Sequence, residues 1–276
     1  MTALVVVAHP DDEIVFLGGV MFALRQAGHR VDVVCVTGRF ATPPLTRVRR
    51  SELHRAAERL DARALTLDLA DRPGPLPLET LSARLAQAVD LSAYDEIYTH
   101  GIWGEYGHRH HIDVCVAVHR LARDVWSLAG PLPYVRTVAV DVTRKRALAR
   151  ALYPSQGFAS GWCSPVERLT RLDLPTVEAL RLVARATSGE ENELARRAPL
   201  PRPLATLANQ ALTGLEPTPP FAEVANIPPA VWEPARALWR ARLRSLLASE
   251  NRLDEELGPA RAHAAGGLRP AGEECA

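Results

Sequence analysis

An apolar strand that runs directly into a cluster of acids is the feature that most restricts how this chain can fold. The run Ala3–Val7 is short and valine-rich and ends before His9-Pro10, which predicts a buried β-strand. Apolar residues then recur at helical spacing, at Ile14, Leu17, Val20, Met21 and Leu24. Residues 8–13, with the sequence AHPDDE, therefore occupy a turn from strand to helix. In an open α/β sheet, ligands bind outside the carboxyl ends of such strands.

The chemistry of this turn indicates a cation. A nucleotide-binding unit would carry GxGxxG here, since glycines let the backbone approach a pyrophosphate. The turn instead carries His9 and three acids, Asp11, Asp12 and Glu13, whose carboxylates would repel a phosphate. Acids in the first turn of a helix can also serve only to complement the helix dipole. Three acids beside a histidine at the end of the first strand favour a functional site over that alternative.

Strands and helices alternate along the rest of the first part of the chain. Strands are predicted at residues 31–37, 64–69, 96–99 and 134–142, and helices at 78–91, 109–127, 143–153 and 175–187. This alternation predicts an α/β fold, with a Rossmann-like, mostly parallel sheet and helices on both faces. We assign residues 1–189 to this domain. Residues 190–276 form a proline-rich and helical C-terminal extension, with a long helix expected at 230–257.

Composition narrows the class of partner. The net charge of +1 gives no reason to expect a nucleic acid or an anionic membrane. The four cysteines form no CxxC pair, so neither a disulfide framework nor a thiolate zinc site is expected. The N-terminal apolar run lacks a basic flank and is too short for a signal peptide or a membrane span. A cytoplasmic location is the expectation.

A second cluster, EYGHRHH at residues 105–111, follows the fourth predicted strand. His108 and His111 stand three apart at the start of a helix, so both can face one direction. Histidines at a helix start are often merely solvated. However, the carboxyl ends of parallel strands share one edge, so this cluster and the AHPDDE turn are expected to meet. Together they supply His and Asp in the number that a catalytic zinc needs, three protein ligands and one open position.

AHPDDE followed by a Gly-His-x-x-His element resembles the LmbE/PIG-L family of zinc-dependent de-N-acetylases. That family includes GlcNAc-phosphatidylinositol deacetylases and the amidases of the mycothiol and bacillithiol pathways. The resemblance covers roughly the first 155 residues. It implies that Zn2+, or another divalent metal such as Fe2+, is bound by His9, Asp12 and His111. It also implies that Asp11 is the general base and that His108 stabilises the oxyanion and donates a proton.

The resemblance further implies residues near the substrate. Arg49 begins an Arg-x-x-Glu pattern that lies near the substrate in the family, and Tyr106 occupies a tyrosine position beside the site in some members. Asp71 is the candidate for an acid that binds sugar hydroxyls from the loop after the third strand. The stretch Tyr153 to Gln156 resembles the family's segment at the end of the core.

One position departs from the family pattern. The family usually has Asp directly before the last histidine of the second motif, and this chain has His110 there. An aspartate could support the charged form of His108, whereas a histidine supplies no negative charge. Either another acid supports His108, or His108 works with a lower pKa.

The expected reaction is hydrolysis of the N-acetyl amide of an amino sugar or a related small metabolite, which releases acetate and a free amine. A small N-acyl compound is thus the expected partner, and a homo-oligomer is left open. Two alternatives remain. One is an amidase that removes a larger acyl group from a thiol conjugate or a secondary metabolite. The other is a catalytically silent ligand-binding homologue, for which the replacement at His110 is the only support.

Overall fold

The computed structural model describes residues 1–130, 132, 134–178, 180 and 181. The expected C-terminal extension at 190–276 lies outside these residues, as does most of the helix predicted at 175–187. The strands are β1 (Thr2–Val7), β2 (Arg30–Arg39), β3 (Arg63–Ala70), β4 (Glu96–Thr99), β5 (Val125–Leu128), β6 (Arg136–Ala139) and β7 (Val166–Arg171). The helices are α1 (Asp12–Val15), α2 (Gly18–Gln26), α3 (Pro43–Arg59), α4 (Leu78–Ala88), α5 (Gly104–Gly107), α6 (Arg109–Leu121) and α7 (Val142–Leu152), with 3-10 helices at Leu91–Ala93 and Pro154–Trp162.

All seven strands form one sheet in the order β3-β2-β1-β4-β5-β7-β6. The strands from β3 to β5 are parallel to their neighbours, whereas β7 pairs antiparallel with both β5 and β6. The predicted α/β class with a mostly parallel sheet is confirmed. Because β1 and β4 are adjacent, with Val6 opposite Thr99, the two polar motifs that follow these strands lie side by side.

Strand β1 explains why helices cover both faces of the sheet. Every residue from Ala3 to Val7 is 0% exposed, as expected for a parallel strand buried on two sides. Successive side chains of a strand point to opposite faces. Val5 packs in one apolar cluster with residues of α2 and α3, and Val6 packs in another with residues of α4 and α6. Within the described part of the chain, no helix has the length and apolar character needed to cross a bilayer.

The second half of the sheet differs from the sequence expectation. The helix predicted at 109–127 ends at Leu121, and residues Val125–Leu128 form β5. A short apolar run fits a buried helix or a buried strand equally well, so periodicity could not separate them. The strand predicted at 134–142 is the shorter β6, and its partner β7 was not predicted. Strand β7, with the sequence VERLTR, contains three charged residues among six, and one of them, Glu167, is buried.

A buried ion pair connects this antiparallel part to the rest of the domain. Lys145, on α7, is 0% exposed and directs its ammonium group to the carboxylate of Glu167 on β7. The carboxylate also accepts hydrogen bonds from the backbone amides of Gly19 and Val20, at 2.7 and 2.8 Å. Glu167 therefore joins β7, α7 and the first turn of α2, where the helix has unpaired amide hydrogens.

Candidate metal centre

The turn after β1 is held in a strained conformation by its own polar groups. Asp11 has a φ of 112°, in the region that favours glycine, and α1 begins at the next residue. The amide of His9 donates to Oδ2 of Asp12 at 2.7 Å, and the amide of Asp11 donates to Oε2 of Glu13 at 3.1 Å. Strain of this kind persists only where the surrounding structure enforces it, and it is common at functional sites.

The three predicted ligands meet as a compact triangle of donor atoms. Nδ1 of His9 lies 3.2 Å from Oδ2 of Asp12 and 3.3 Å from Nε2 of His111. The third edge, from Nε2 of His111 to Oδ2 of Asp12, is 3.4 Å. Zinc binds nitrogen and oxygen tetrahedrally at about 2.0–2.1 Å, which places its ligand atoms about 3.3–3.4 Å apart. The triangle therefore fits one face of a tetrahedral metal site.

Other donor atoms crowd around this triangle. Three overlapping groups of His and Asp side chains have donor atoms close enough to hold a cation, namely His9–His108–His111, His9–Asp71–His110 and Asp12–His100–His111. Each group contains at least one member of the predicted ligand set. A single centre with several polar neighbours accounts for all three.

The charges of the surrounding side chains favour a cation at this place. Burial opposes a charge on His9, but Asp12 and Asp71 outweigh burial and raise the pKa of His9 to about 9. Burial alone would raise the pKa of Asp12, but His111 and His9 hold it well below its usual range. The Asp12 carboxylate is therefore ionised beside a protonated His9. A metal ion would have to displace that proton.

Asp11 is prepared to accept a proton. Burial and the neighbouring charge of Asp12 hold the pKa of the Asp11 carboxyl well above its usual range, although Arg49 opposes this. Nη2 of Arg49 lies 3.3 Å from Oδ1 of Asp11 and donates to the carbonyl oxygen of Pro10 at 2.6 Å. The structure thus places Arg49, predicted to lie near the substrate, in direct contact with Asp11. Its guanidinium also lies 4.6 Å from the ring centroid of Phe40.

His108 lies beside the triangle, as the second motif predicted. Its ring centroid is 4.6 Å from those of both His9 and His111. Burial, together with His111 and His9, lowers the pKa of His108 to about 2. The imidazole is therefore neutral at pH 7, which corresponds to the lower-pKa branch of the two expectations for this residue.

Glu105 and His100 belong to the site, although neither was among the predicted site residues. Glu105 Oε2 is in hydrogen-bond contact with Nδ1 of His111 and lies 3.1 Å from Nδ1 of His100. A carboxylate on Nδ1 leaves Nε2 of His111 directed into the triangle. Glu105 also has a φ of 54° and accepts the amide hydrogen of Gly101. Its place inside the second motif, one residue before Tyr106, was the available signal.

His100 is the last link of this network. Its ring stacks on that of His111 with a centroid separation of 3.9 Å. Nε2 of His100 accepts the amide hydrogen of Ala8 at 3.0 Å and lies 3.3 Å from Oδ2 of Asp12. The first residue after β4 thus holds the backbone of the turn after β1.

The side chain of His110, at the position that departs from the family pattern, makes its polar contacts with His9 and with the main chain. Nδ1 of His110 lies 3.0 Å from Nε2 of His9, and Nε2 of His110 lies 3.0 Å from the carbonyl oxygen of Arg72. Burial and the charge of His9 lower the pKa of His110 to about 4, so its imidazole is neutral. Both ring nitrogens of His110 therefore serve partners other than His108. Asp71 Oδ1 lies nearby, 3.5 Å from Nδ1 of His110.

Two cavities adjoin the cluster and share His108 and Asp71 as walls. The smaller, about 190 Å³, is lined by His9, Asp11, Asp12, Val15, Phe16, Arg49, Asp71, His108, Gln156, Phe158, Ala159 and Trp162. The larger, about 470 Å³, is lined by Asp71, Arg72, Pro73, Gly74, Gly107, His108, Arg109 and His110. Two members of the triangle, His9 and Asp12, thus line the smaller cavity together with the aromatic residues Phe16, Phe158 and Trp162.

A comparison with known families gives a match within this domain. Residues 4–125 match the family model described as PIG-L, GlcNAc-PI de-N-acetylase. All the predicted site residues lie within this matched segment. The aromatic wall at Phe158 and Trp162 comes from the 3-10 helix beyond it.

Solved structures similar to this chain include enzymes of more than one kind. N,N'-diacetylchitobiose deacetylase from Pyrococcus horikoshii is 17% identical with a TM-score of 0.48, and the match covers 56% of this chain and 70% of that one. A deacetylase of the teicoplanin biosynthetic pathway is 17% identical with a TM-score of 0.48, covering 63% and 99%. The 4-carboxy-2-hydroxymuconate hydratase from Pseudomonas putida KT2440 is 21% identical with a TM-score of 0.47, covering 58% and 81%.

The remaining sequence motifs of this chain also have defined positions in the structure. Glu52 of the Arg-x-x-Glu pattern accepts the amide hydrogen of Ser155 at 2.9 Å, so this pattern and the stretch Tyr153 to Gln156 are in contact. The hydroxyl of Tyr153 donates to the buried carboxylate of Glu13. Tyr106 lies on α5, between Glu105 and the helix end at Gly107. These contacts join the end of the core to the turn after β1.

Proposed function

We propose that this protein is a metal-dependent hydrolase that cleaves the N-acyl amide of a small metabolite, with an N-acetylated amino sugar as the preferred substrate class. The observation that carries this proposal is the donor triangle of His9, Asp12 and His111 at a cavity wall, directly beside Asp11 with its raised pKa. The family description, a de-N-acetylase, supports the same reaction.

His9, Asp12 and His111 would hold the cation. Their two imidazoles and one carboxylate form a donor set that suits zinc in catalytic sites, with one position left open for water or substrate. Because this donor set suits a catalytic zinc, zinc is the first metal to test. Imidazole and carboxylate ligands also suit Fe2+, which is the second. A divalent cation held by these residues would supply Lewis acidity toward the amide carbonyl and would lower the pKa of bound water from about 15.7 toward about 7.

Asp11 carries the proton through the reaction. Its carboxylate takes a proton from the attacking water as the new C–O bond forms. A carboxyl with a raised pKa holds that proton long enough to deliver it to the nitrogen as the C–N bond breaks. The products are a carboxylic acid and a free amine, so one water is consumed and the proton count balances. The contact with Arg49 keeps the Asp11 carboxylate oriented.

His108 acts as a neutral hydrogen-bond donor. Because burial and the adjacent imidazoles lower its pKa to about 2, it cannot serve as the acid at neutral pH. An N–H of neutral imidazole can still donate to the oxygen that becomes negative in the tetrahedral transition state. This assignment differs from the proton-donating role that the family resemblance implied for His108.

The two cavities favour a small, polar substrate. Asp71 forms a wall of both cavities and is suited to accept hydrogen bonds from hydroxyl groups of a sugar. Phe16 and Trp162 give the smaller cavity an apolar side that can receive a methyl group or the face of a ring. Tyr106 and Arg49 remain candidates for contact with the substrate.

The test is a screen of zinc-loaded protein against N-acetylated amino sugars and thiol conjugates, with acetate and free amine measured separately. Release of both in equal amounts is expected, and Asp11→Asn should lower its rate by roughly 10²–10⁴ while zinc stays bound. Asp32→Asn, which changes a buried aspartate on β2 that contacts Tyr94, is the matched control and should keep activity. Amine without acetate would identify a larger acyl group. Zinc binding without any hydrolysis would contradict the enzymatic proposal.

A further inference from the structure

We propose that His110 is a positioning residue for His9, because it fixes the tautomer that turns Nδ1 of His9 toward the metal. The inference rests on the proposed function in taking Nδ1 of His9 as a metal ligand. His110, which stands where the family usually has an aspartate, would thus act on the ligand His9 and not on His108.

The first step concerns the proton on His110. Its Nε2 lies 3.0 Å from the carbonyl oxygen of Arg72, and a carbonyl oxygen can only accept a hydrogen bond. Nε2 of His110 therefore carries a hydrogen. The ring nitrogens of His110 and His9 that face each other are 3.0 Å apart, so one donates and the other accepts; with the hydrogen of His110 on Nε2, its Nδ1 is the acceptor.

The second step passes this constraint to His9. Nδ1 of His110 is 3.0 Å from Nε2 of His9, so Nε2 of His9 must be the donor. Once the charge on the His9 ring is replaced by a metal ion, its only hydrogen stays on Nε2. Nδ1 then has a lone pair, and that lone pair faces Asp12 and His111 across the triangle. The backbone carbonyl of Arg72 thus sets the tautomer of His9 through one intervening ring.

The two histidine ligands are consequently held by opposite chemistry. Nδ1 of His111 is fixed by the carboxylate of Glu105, which is a charged partner. Nε2 of His9 lies 3.0 Å from the imidazole of His110, which is itself anchored to the main chain, and the carboxylate of Asp71 lies farther away, at 3.6 Å. Partners of this kind orient ligating imidazoles and raise metal affinity. The side chain at position 110 must therefore accept a hydrogen bond from Nε2 of His9, but it does not need a negative charge.

The same atoms admit a competing arrangement. Nε2 of His9, Nδ1 of His110 and Oδ1 of Asp71 lie 3.0, 3.5 and 3.6 Å apart and could bind a second cation. That arrangement would require His9 to lose its last proton and bridge two metals. The hydrogen-bonded arrangement requires no such step, and we argue for it.

The affinity test compares variants of the full-length chain by zinc competition with a chromophoric chelator. His110→Phe keeps a ring but removes the acceptor, and it should weaken zinc binding by roughly 10–100-fold. His110→Asn offers its amide oxygen near the place of Nδ1 and should stay within about threefold of the wild type. His119→Phe removes a buried imidazole that contacts Cys115 and Ser127, and it should leave the affinity unchanged. Equal affinities for all variants would overturn the proposal.

The spectroscopic test reads the hydrogen bond directly. In zinc-loaded protein labelled with 15N-histidine, a scalar coupling across the hydrogen bond should connect Nε2 of His9 with Nδ1 of His110. Two zinc ions per chain at saturation, with Nδ1 of His110 shifted as a metal-bound nitrogen, would establish the second cation site instead. A wild-type protein that binds one zinc and shows the coupling but hydrolyses nothing would contradict the proposed function and leave this inference standing.

Discussion

Nζ of Lys145 lies 2.6 Å from Oε1 of Glu167, and neither side chain is more than 1% exposed. The pair joins a helix, a strand that was not predicted and the start of α2. Removing one partner from such a pair leaves an uncompensated charge in a medium that solvates it poorly. The antiparallel end of the sheet therefore depends on a contact between residues 22 positions apart.

Lys145→Met should lower the free energy of unfolding by about 3–5 kcal/mol, since it strands the carboxylate of Glu167. Adding Glu167→Gln to this variant should recover part of the loss, because an amide oxygen can still accept from Gly19. The exposed pair of Arg171 and Asp124, 3.9 Å apart, is the control, and Asp124→Asn should cost less than about 1 kcal/mol. Chemical denaturation measures all of these. If Lys145→Met costs no more stability than Asp124→Asn, the pair of Lys145 and Glu167 does not stabilise the fold.

The ligand and base roles of the adjacent aspartates can be separated. Asp11→Asn should keep bound zinc and lower turnover by roughly 10²–10⁴, because it removes only the proton acceptor. Asp12→Asn should weaken zinc binding, and His111→Ala should lose the metal, since two remaining ligands make a poor site. Metal content and kcat are measured on the same preparations. Normal zinc binding in Asp12→Asn with loss of it in Asp11→Asn would reverse the two assignments.

Glu105→Gln tests the charged partner of His111. The amide keeps the shape of the side chain but weakens the contact with Nδ1 of His111, so zinc affinity should fall by about 10–100-fold. Glu178→Gln, which removes a carboxylate contact with Arg120 away from the cluster, should leave the affinity unchanged. If zinc binds equally well to both variants, Glu105 does not orient the ligand.

The buried His119 should make stability depend on pH. Burial lowers the pKa of His119 below its ordinary value, so the folded state keeps this ring neutral where the unfolded chain already binds a proton. Below about pH 6.5 the unfolded state gains the proton first, and stability is lost as the pH falls, by up to about 1.4 kcal/mol per unit. Above that pH the residue contributes no slope. Denaturation of His119→Gln between pH 5 and 8 should show a shallower acid loss than the wild type.

The elements and site residues that were predicted correctly in position are those for which a short stretch of sequence contains the evidence. Strands β1 and β4 lie where the sequence placed them, and the parallel register puts His9 and His111 at one edge. Strand β7 was not predicted, because a charged residue such as Glu167 normally indicates an exposed segment. Glu167 is buried because it pairs with Lys145, which is distant in the sequence. Glu105 was not predicted as a site residue, because nothing in the sequence indicates that its backbone adopts a φ of 54°. The partner of His110 lies 101 residues away, which no spacing rule can reach.

Lys145 is the only lysine in the chain, and it is fully enclosed. Reagents that acylate surface amines therefore meet no lysine side chain on the folded molecule. Modification of Lys145 requires the fold around α7 to open, and its rate reports how often that happens. The rate of mass increase at Lys145, measured with and without zinc, would give the rate at which the native protein opens around this residue.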